Sequence, residues 1–322
     1  MKKSSFYVAL FAAAALFTGV GANAQLYPNK PIRLIVPTPA GGSGDLVLRP
    51  LAEKLLPTLG QAILLDYKPG ASQIIGTDLL AKAAPDGYTI GFITTSHSIN
   101  PIFQKLPYNS LADFAPITQL VDVPLALVTH PSVPAKTIPE LVAYAKSNPG
   151  KLAYGSFGFG GPHYIAMEWF KLLAGINLLH VPYQGSAPAL TAAVGNHIQL
   201  MFVGPGIALQ YAKEGRLNVI AASPARRLPA APQLPAIAES GYKDFDITTF
   251  YGLLAPARTP REIVARLSQE FGRELRSSDL QERFGALGQA PAPSTPEEFA
   301  ATLRQDAEYW ARMVKLTGAR GE

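Results

Sequence analysis

Short β-branched runs alternate with stretches of helical periodicity along the chain, and this alternation restricts the fold more than any other feature. The first three runs are PIRLIVP (31–37), AILLDY (62–67) and YTIGFITT (88–95). Between the first two, apolar residues recur at helical spacing, namely Leu48, Leu51, Ala52, Leu55 and Leu59. Strand–helix–strand alternation predicts an α/β fold with mostly parallel sheets flanked by helices.

A second series of the same kind follows and is large enough for a second unit. Its predicted strands are LALVTHP (125–131), KLAYGS (151–156), LLHVPY (178–183), IQLMFVG (198–204) and LNVIAAS (217–223). The C-terminal part is helical, with N-terminal caps predicted at Thr259 and Thr295, each followed by Pro and Glu. The last helix presents Phe299, Leu303, Trp310 and Val314 on one face, and the first unit offers the nearest core for it.

These two series predict two lobes joined by two crossovers, near 117–125 and near 246–255. We expect a first lobe made of 25–122 with 251–322, a second lobe made of 123–250, and a ligand cleft between them. Each lobe is expected to hold a mostly parallel sheet flanked by helices.

The N-terminus has the pattern of a cleavable export signal. A basic start, Met1-Lys2-Lys3, precedes an apolar run from Val8 to Val20, and Ala22-Asn23-Ala24 fits signal peptidase. The apolar run is shorter than the roughly 20 residues that span a bilayer, which argues against a membrane anchor. We predict a signal peptide of 1–24 and a periplasmic protein without lipidation, since the chain has no cysteine.

The composition restricts the possible partners. Without Lys2 and Lys3, 26 basic and 23 acidic residues remain, a net charge of +3. The basic residues are scattered, which disfavours nucleic-acid binding. A small anionic molecule is compatible with this weak positive charge. No cofactor or metal is expected, and the histidines lack metal-binding spacing.

The loop VPTPAGGSGD (36–45) admits several chemical interpretations. A P-loop needs Lys-Ser/Thr after its last glycine, whereas Asp45-Leu46 follows Gly44; a dinucleotide fingerprint needs a third glycine where Val47 stands. A hydrolase elbow, G-x-S-x-G, is incomplete here and in YGSFG (154–158). An exported serine hydrolase using Ser43 or Ser156, with His97 or His163, is kept as an alternative.

Anion binding by backbone N–H groups fits the loop better. Glycines bare successive N–H groups, and a helix N-terminus adds partial positive charge. YGSFGFGGPH (154–163) repeats the pattern in the second lobe, and ITTSHSIN (93–100) ends a third strand with polar residues. Ligands of open α/β sheets bind outside the carboxyl ends of strands. Asp45 is expected to brace its loop, because a carboxylate facing an anionic ligand would repel it.

Several segments together resemble the extracytoplasmic solute receptors of tripartite tricarboxylate transporters, the Bug family. They are YPNKPIRLIVPTPAGGSGD, AKAAPDGYTI, KLPYNSLADFAPIT, GSFGFGGPH, HVPYQG, YGLLAPARTP and TPEEFAATLRQDAEYW, in this order through 25–322. The resemblance implies the two-lobed, type II fold of periplasmic binding proteins. It further implies a receptor that closes over an organic acid and delivers it to a membrane permease. The alternative is a receptor that reports its bound ligand to a sensor protein. The protein is expected to be a monomer.

The resemblance also implies which residues contact the ligand. In the first lobe they are Pro39, Ala40, Gly41, Gly42, Ser43, Ser96 and His97. In the second lobe they are Ser156, Gly158, Gly160, His163 and Tyr183. Both His163 and Tyr183 also suit a structural role, and His180, within an apolar strand, suits a core role. The chain departs from the family pattern at Thr38, Ser43-Gly44, Gln73, Ile74 and Phe250, so no relative's ligand can be assumed.

Overall fold

The computed structural model describes residues 27–321, and these form eleven strands in two sheets. The strands are β1 (Ile32–Val36), β2 (Ile63–Tyr67), β3 (Thr89–Thr94), β4 (Phe114–Pro124), β5 (Ala126–Thr129), β6 (Ala153–Ser156), β7 (Leu179–Pro182), β8 (Leu200–Val203), β9 (Asn218–Ala222), β10 (Thr248–Pro256) and β11 (Ala290–Pro291). The predicted signal peptide, 1–24, lies outside the described residues.

The α-helices cover both sheets and follow most of the strands. They are α1 (Asp45–Leu59), α2 (Ile74–Ala81), α3 (Ser96–Phe103), α4 (Ile138–Ser147), α5 (Pro162–Ala174), α6 (Ser186–Val194), α7 (Pro205–Lys213), α8 (Arg261–Leu275), α9 (Ser278–Ala286) and α10 (Pro296–Thr317). Between residues 27 and 321, no helix combines the length and the apolar character that a membrane crossing requires.

Both sheets are mixed, and each forms the centre of one lobe. The first lobe has the order β11-β4-β10-β3-β1-β2, and the second has the order β7-β6-β8-β5-β9. Strands β1, β2 and β3 pair in parallel, as do β6, β7 and β8. The antiparallel pairs of β10 and β5 arise because these strands follow crossings between the lobes. The short strand β11 also pairs antiparallel, with β4. The predicted two-lobed α/β fold is confirmed, but the expectation of a mostly parallel sheet in each lobe is wrong, because the strands that enter after the crossings run antiparallel to their neighbours.

The chain passes between the two sheets at two places that lie side by side. One passage is at Leu125, between β4 and β5, and the other lies between β9 and β10. Ser223 ties them together, because its hydroxyl accepts from Leu125 N at 2.9 Å and donates to Ile247 O at 2.6 Å. The lobe limits at 122/123 and 250/251 stay predictions.

The last helix, α10, packs on both lobes. The sequence had predicted that its apolar face would pack on the first lobe alone. Phe299 and Leu303 are buried in a core cluster of the first lobe. Trp310 and Met313 are buried in the core cluster of the second lobe. The helix is 22 residues long, so at about 1.5 Å per residue it reaches from one core to the other.

Sequence signals predicted one of the two C-terminal helix starts correctly. At α10, Thr295 Oγ1 accepts from Glu298 N at 3.2 Å, and Glu298 Oε2 accepts from Thr295 N at 2.8 Å. The predicted cap at Thr259 is wrong, because α8 begins at Arg261 with Pro260 as its cap residue. The prediction placed Pro260 at the first helical position, where proline is common. In the structure Pro260 stands one residue earlier, at the cap position itself.

We expect Thr295→Ala to lower the free energy of unfolding by about 1 kcal/mol, because it leaves the Glu298 N–H without its capping acceptor. Urea denaturation measures the change. Thr302→Ala is the matched control, since the Thr302 hydroxyl only donates back to Glu298 O within the same helix. Equal losses in the two variants would contradict a capping role.

Candidate functional site

The loop between β1 and α1 is held in place by a buried carboxylate. Asp45 is 5% exposed, and its Oδ2 accepts from Gly41 N at 2.8 Å. Tyr67 Oη donates to both carboxylate oxygens at 3.0 Å, and the Arg49 guanidinium lies 3.3 Å away. Gly41 has a φ of +79°, which glycine adopts without strain. Asp45 therefore braces the loop and is occupied by its own protein partners.

This loop presents free N–H groups beside a helix N-terminus. Within the described part of the chain, the N–H groups of Gly42 and Ser43 donate to no protein acceptor. The space where a side chain of Gly41 would begin is empty to 4 Å. The Ser43 hydroxyl forms a hydrogen bond with the Tyr251 hydroxyl at 2.8 Å, so at Gly42 and Ser43 the free donors are the backbone N–H groups.

The glycine loop after β6 is braced by a histidine. Ser156 is fully buried, and its Oγ lies 2.7 Å from His180 Nε2 and 3.3 Å from Gly158 N. The His180 ring stacks between Tyr154 and Tyr164, with centroids 4.9 and 4.5 Å away. Burial lowers the pKa of His180 to about 4, so the imidazole is neutral at pH 7.

The Ser156–His180 pair has the spacing of a nucleophile and its base, but not the access. Ser156 Oγ has no surface from which to attack a substrate, and its bonds hold Gly158. The histidines weighed as hydrolase partners, His97 and His163, form no hydrogen bond with Ser43 or Ser156 in the described structure. The geometry supports a bracing role for Ser156.

Loops of the two lobes meet at two places, and glycines lie at both. At the first place, a side-chain carbon on Gly185 would lie 3.5 Å from the Pro39 ring, and one on Gly42 would lie 3.6 Å from Ser186 Oγ. This contact brings the N-terminus of α6 against the β1–α1 loop. The loop that carries the free N–H groups of Gly42 and Ser43 therefore lies next to the opposite lobe.

The second place joins the β6–α5 loop to the first lobe. A side-chain carbon on Gly158 would lie 2.9 Å from Ser72 Oγ, and one on Gly160 would overlap Asn100 Oδ1. Asn100 is buried, and its Nδ2 donates to Ser72 O at 2.8 Å. We call residues 37–44, 71–73, 157–161 and 183–186 the facing loops.

The turn at 71–73 carries three successive non-glycine residues with left-handed backbone. Ala71, Ser72 and Gln73 have φ values of 46°, 50° and 80°. Gln73 forms two side-chain hydrogen bonds with Thr94, at 2.9 and 3.1 Å, which hold the turn in this conformation. Backbone strain of this kind concentrates at binding sites, where the surrounding structure enforces it.

The remaining predicted site residues lie in different surroundings. Ser96 is buried at the start of α3, and its N–H donates to Thr94 Oγ1 at 3.2 Å. His97 points elsewhere, with Nε2 2.7 Å from Ser110 O. His163 packs on Phe157 with a centroid distance of 4.0 Å, and the Tyr183 ring packs over Gly155. Their proposed ligand contacts stay predictions.

Four residues at the facing loops were not among the predicted ligand contacts: Ser72, Asn100, Ser186 and Tyr251. Asn100 and Ser96 are four residues apart on α3 and share one helix face, so a helical reading of SHSIN would have indicated Asn100. Ser186 is the first residue of α6 and directly follows the cap residue Gly185, so the predicted helix start would have indicated it. Nothing in the local sequence marks Ser72 or Tyr251.

The arrangement suits an anion and offers little else. Among the described residues, no group of three or more acidic or histidine side chains could hold a metal ion. The helices α1, α3, α5 and α6 start at or beside the facing loops, and the N-terminus of each carries a partial positive charge. Backbone amides and helix ends of two lobes can together hold a carboxylate.

Comparisons with known proteins agree with this geometry. The family model of the tripartite tricarboxylate transporter family receptor matches residues 47–318. Protein BugT of Bordetella pertussis is 32% identical over 301 residues, which are 92% of each chain.

Solved structures of relatives have the same fold. R. palustris Rpa4515 with adipate has a TM-score of 0.89 at 28% identity, covering 92% of this chain and 100% of that one. MatC from Rhodopseudomonas palustris with bound malate has a TM-score of 0.83 at 29% identity, covering 89% and 100%. On the family match and the similarity to BugT, the chain belongs to the receptor family of the tripartite tricarboxylate transporters, the Bug proteins.

Proposed function

We propose that the protein captures a small organic acid in the periplasm by closing its two lobes around it. The observation that carries the proposal is the meeting of glycine-bearing loops from opposite lobes, at Gly42 and Ser186 and at Gly160 and Asn100. The adipate and malate of the two structural relatives support a carboxylate ligand.

The ligand contacts are assigned to the backbone at 40–43 in the first lobe and 158–160 in the second. A carboxylate there accepts hydrogen bonds from N–H groups that have no other acceptor, among them those of Gly42 and Ser43. Ser96 and the N-terminus of α6 supply further donors. Charge-assisted hydrogen bonds of this kind are stronger than neutral ones and need no basic side chain.

Closure follows from binding only if the ligand contacts both lobes. A ligand that bound one lobe alone would have equal affinity for the open and closed forms and would not shift their populations. A molecule with acidic or polar groups at both ends satisfies this condition. We therefore favour dicarboxylates and hydroxy acids over simple monocarboxylates.

The proposed partners are the membrane subunits of a tripartite transporter, which receive the acid from the closed form. The family match supports this assignment, and the predicted signal peptide, 1–24, supports a periplasmic location. A sensor protein that reads the same closed form is the second candidate. Genes for two membrane subunits beside this one would favour the transporter.

Calorimetric titration with malate and adipate tests the proposal. We expect saturable 1:1 binding of at least one acid, and small-angle scattering should report a more compact protein in its presence. The dimethyl ester of the same acid is the matched control, because it keeps the carbon chain but loses both charges. The proposal fails if the ester binds as tightly as the acid, or if no organic acid of a broad set binds.

A further inference from the structure

Ser72 lies where the first lobe touches the glycine loop of the second. A side-chain carbon on Gly158 would lie 2.9 Å from Ser72 Oγ, and one on Gly160 would lie 3.5 Å from Ser72 Cβ. Ser72 is half-buried, so its side chain still reaches open space beside this contact. The side chain of one lobe here meets the bare backbone of the other.

The turn presents Ser72 to the second lobe in an unfavourable backbone conformation. Ser72 has a φ of 50°, between Ala71 and Gln73, which are also left-handed. This region is sterically unfavourable for residues other than glycine. Strain of this kind persists only where the surrounding structure enforces it, and it is found mainly at functional sites.

Hydrogen bonds from three elements of the first lobe enforce the turn. Asn100 Nδ2, on α3, donates to Ser72 O at 2.8 Å, and Thr77 Oγ1, on α2, donates to Gln73 O at 2.9 Å. The Gln73 side chain donates to Thr94 Oγ1, at the end of β3, at 2.9 Å. Ser72 is therefore held in place when the lobes meet.

Asn100 itself limits how closely the two loops approach. It is 1% exposed, and a side-chain carbon on Gly160 would overlap its Oδ1. This contact does not involve the side chain of Ser72. Removal of that side chain would therefore leave a gap beside Gly158 and Gly160 and would not let the lobes move closer together.

We propose that Ser72 limits the length of the organic acid that the closed form accepts. This inference rests on the proposed function, in which the acid reaches from the backbone at 40–43 to the backbone at 158–160. Ser72 contacts the second of these loops, so its side chain occupies space at that end of the acid. A smaller residue at this position lengthens the space, and a larger one opposes closure.

Ser72→Gly and Ser72→Asn test the proposal, because glycine and asparagine adopt a left-handed backbone more readily than other residues. Calorimetry with the unbranched diacids succinate, glutarate and adipate measures the affinities. In Ser72→Gly, the affinity for adipate relative to succinate should rise at least about fivefold, because the added space accepts further methylene groups. Ser72→Asn should weaken the binding of all three acids at least about tenfold, because its side chain overfills the contact.

Asn196→Gly is the matched control. Asn196 is exposed, has a φ of 58° and lies beyond the C-terminal end of α6, whereas the facing loops include that helix's first residue. The control should leave the ratio of affinities unchanged. Thermal unfolding should show no loss of stability in Ser72→Gly, since glycine adopts this φ without strain.

The outcomes separate this inference from the proposed function. If Ser72→Gly binds succinate and adipate in the same ratio as the unaltered protein, or if Ser72→Asn binds all three acids undiminished, the role of Ser72 is overturned and acid capture stands. If the unaltered protein binds none of the three acids, the inference is overturned together with the proposed preference for dicarboxylates.

Discussion

Alanine in place of Gly160 is expected to weaken organic acid binding about 100-fold, or by roughly 2.7 kcal/mol, with little change in the free energy of unfolding. A Cβ at this position overlaps Asn100 Oδ1 of the first lobe and lies 3.5 Å from Ser72 Cβ. These contacts exist only when the loops meet, so the methyl group opposes the closed form and not the folding of either lobe.

Gly160 is the most informative of the loop glycines because its backbone does not require glycine. Gly158 has a φ of +104°, so alanine there would strain the loop even without a ligand, whereas Gly160 has no such positive φ. Substitution at 160 therefore separates the contact between lobes from the conformation of the loop.

Gly285→Ala is the matched control for this experiment. It makes the same change within α9, where nothing lies within 4 Å of the added carbon. Calorimetry with the acid that binds the unaltered protein gives the affinities, and thermal unfolding gives the stabilities. If Gly160→Ala bound the acid as tightly as Gly285→Ala, the loop contact would not belong to the ligand-bound form.

The strands could be predicted well from the sequence because their signal is local. Predicted runs such as 62–67 and 217–223 contain β2 (Ile63–Tyr67) and β9 (Asn218–Ala222) within a residue or two at each end. Buried β-branched runs between turn residues give this signal without any knowledge of the partner strand. The two long strands β4 and β10 appeared only as crossovers, because their role depends on how two sheets share one chain.

The contacts between the facing loops could not be predicted, for a different reason. The residues on glycine loops were found because glycine marks a local backbone requirement, but their partners Ser72, Asn100 and Ser186 are defined by the relative placement of two lobes. His97 shows the limit within one element. The sequence predicts the segment 93–100 as the polar end of a strand, but α3 begins within it at Ser96. In this helix the i, i+4 spacing places Ser96 and Asn100 on one face and His97 and Pro101 on another.

Removal of the Trp310 side chain is expected to give the largest loss of stability, about 3–5 kcal/mol for Trp310→Ala. Trp310 is fully buried and fills the second lobe's core from a helix whose N-terminal half packs on the first. Its Nε1 donates to Asp306 Oδ1 at 2.8 Å. Burial already raises the pKa of Asp306 to about 6, and the substitution would leave that carboxyl without this donor.

Trp310→Phe divides this loss into packing and hydrogen bonding. Phenylalanine keeps most of the apolar volume but removes the N–H, so we expect a loss of about 1–3 kcal/mol. Glu308→Ala, at an exposed position of α10, should change the free energy of unfolding by no more than about 0.5 kcal/mol. Urea denaturation of the three variants gives the order. A loss in Trp310→Ala no larger than in Glu308→Ala would show that α10 does not hold the second lobe's core, and that its C-terminal half adds no stability there.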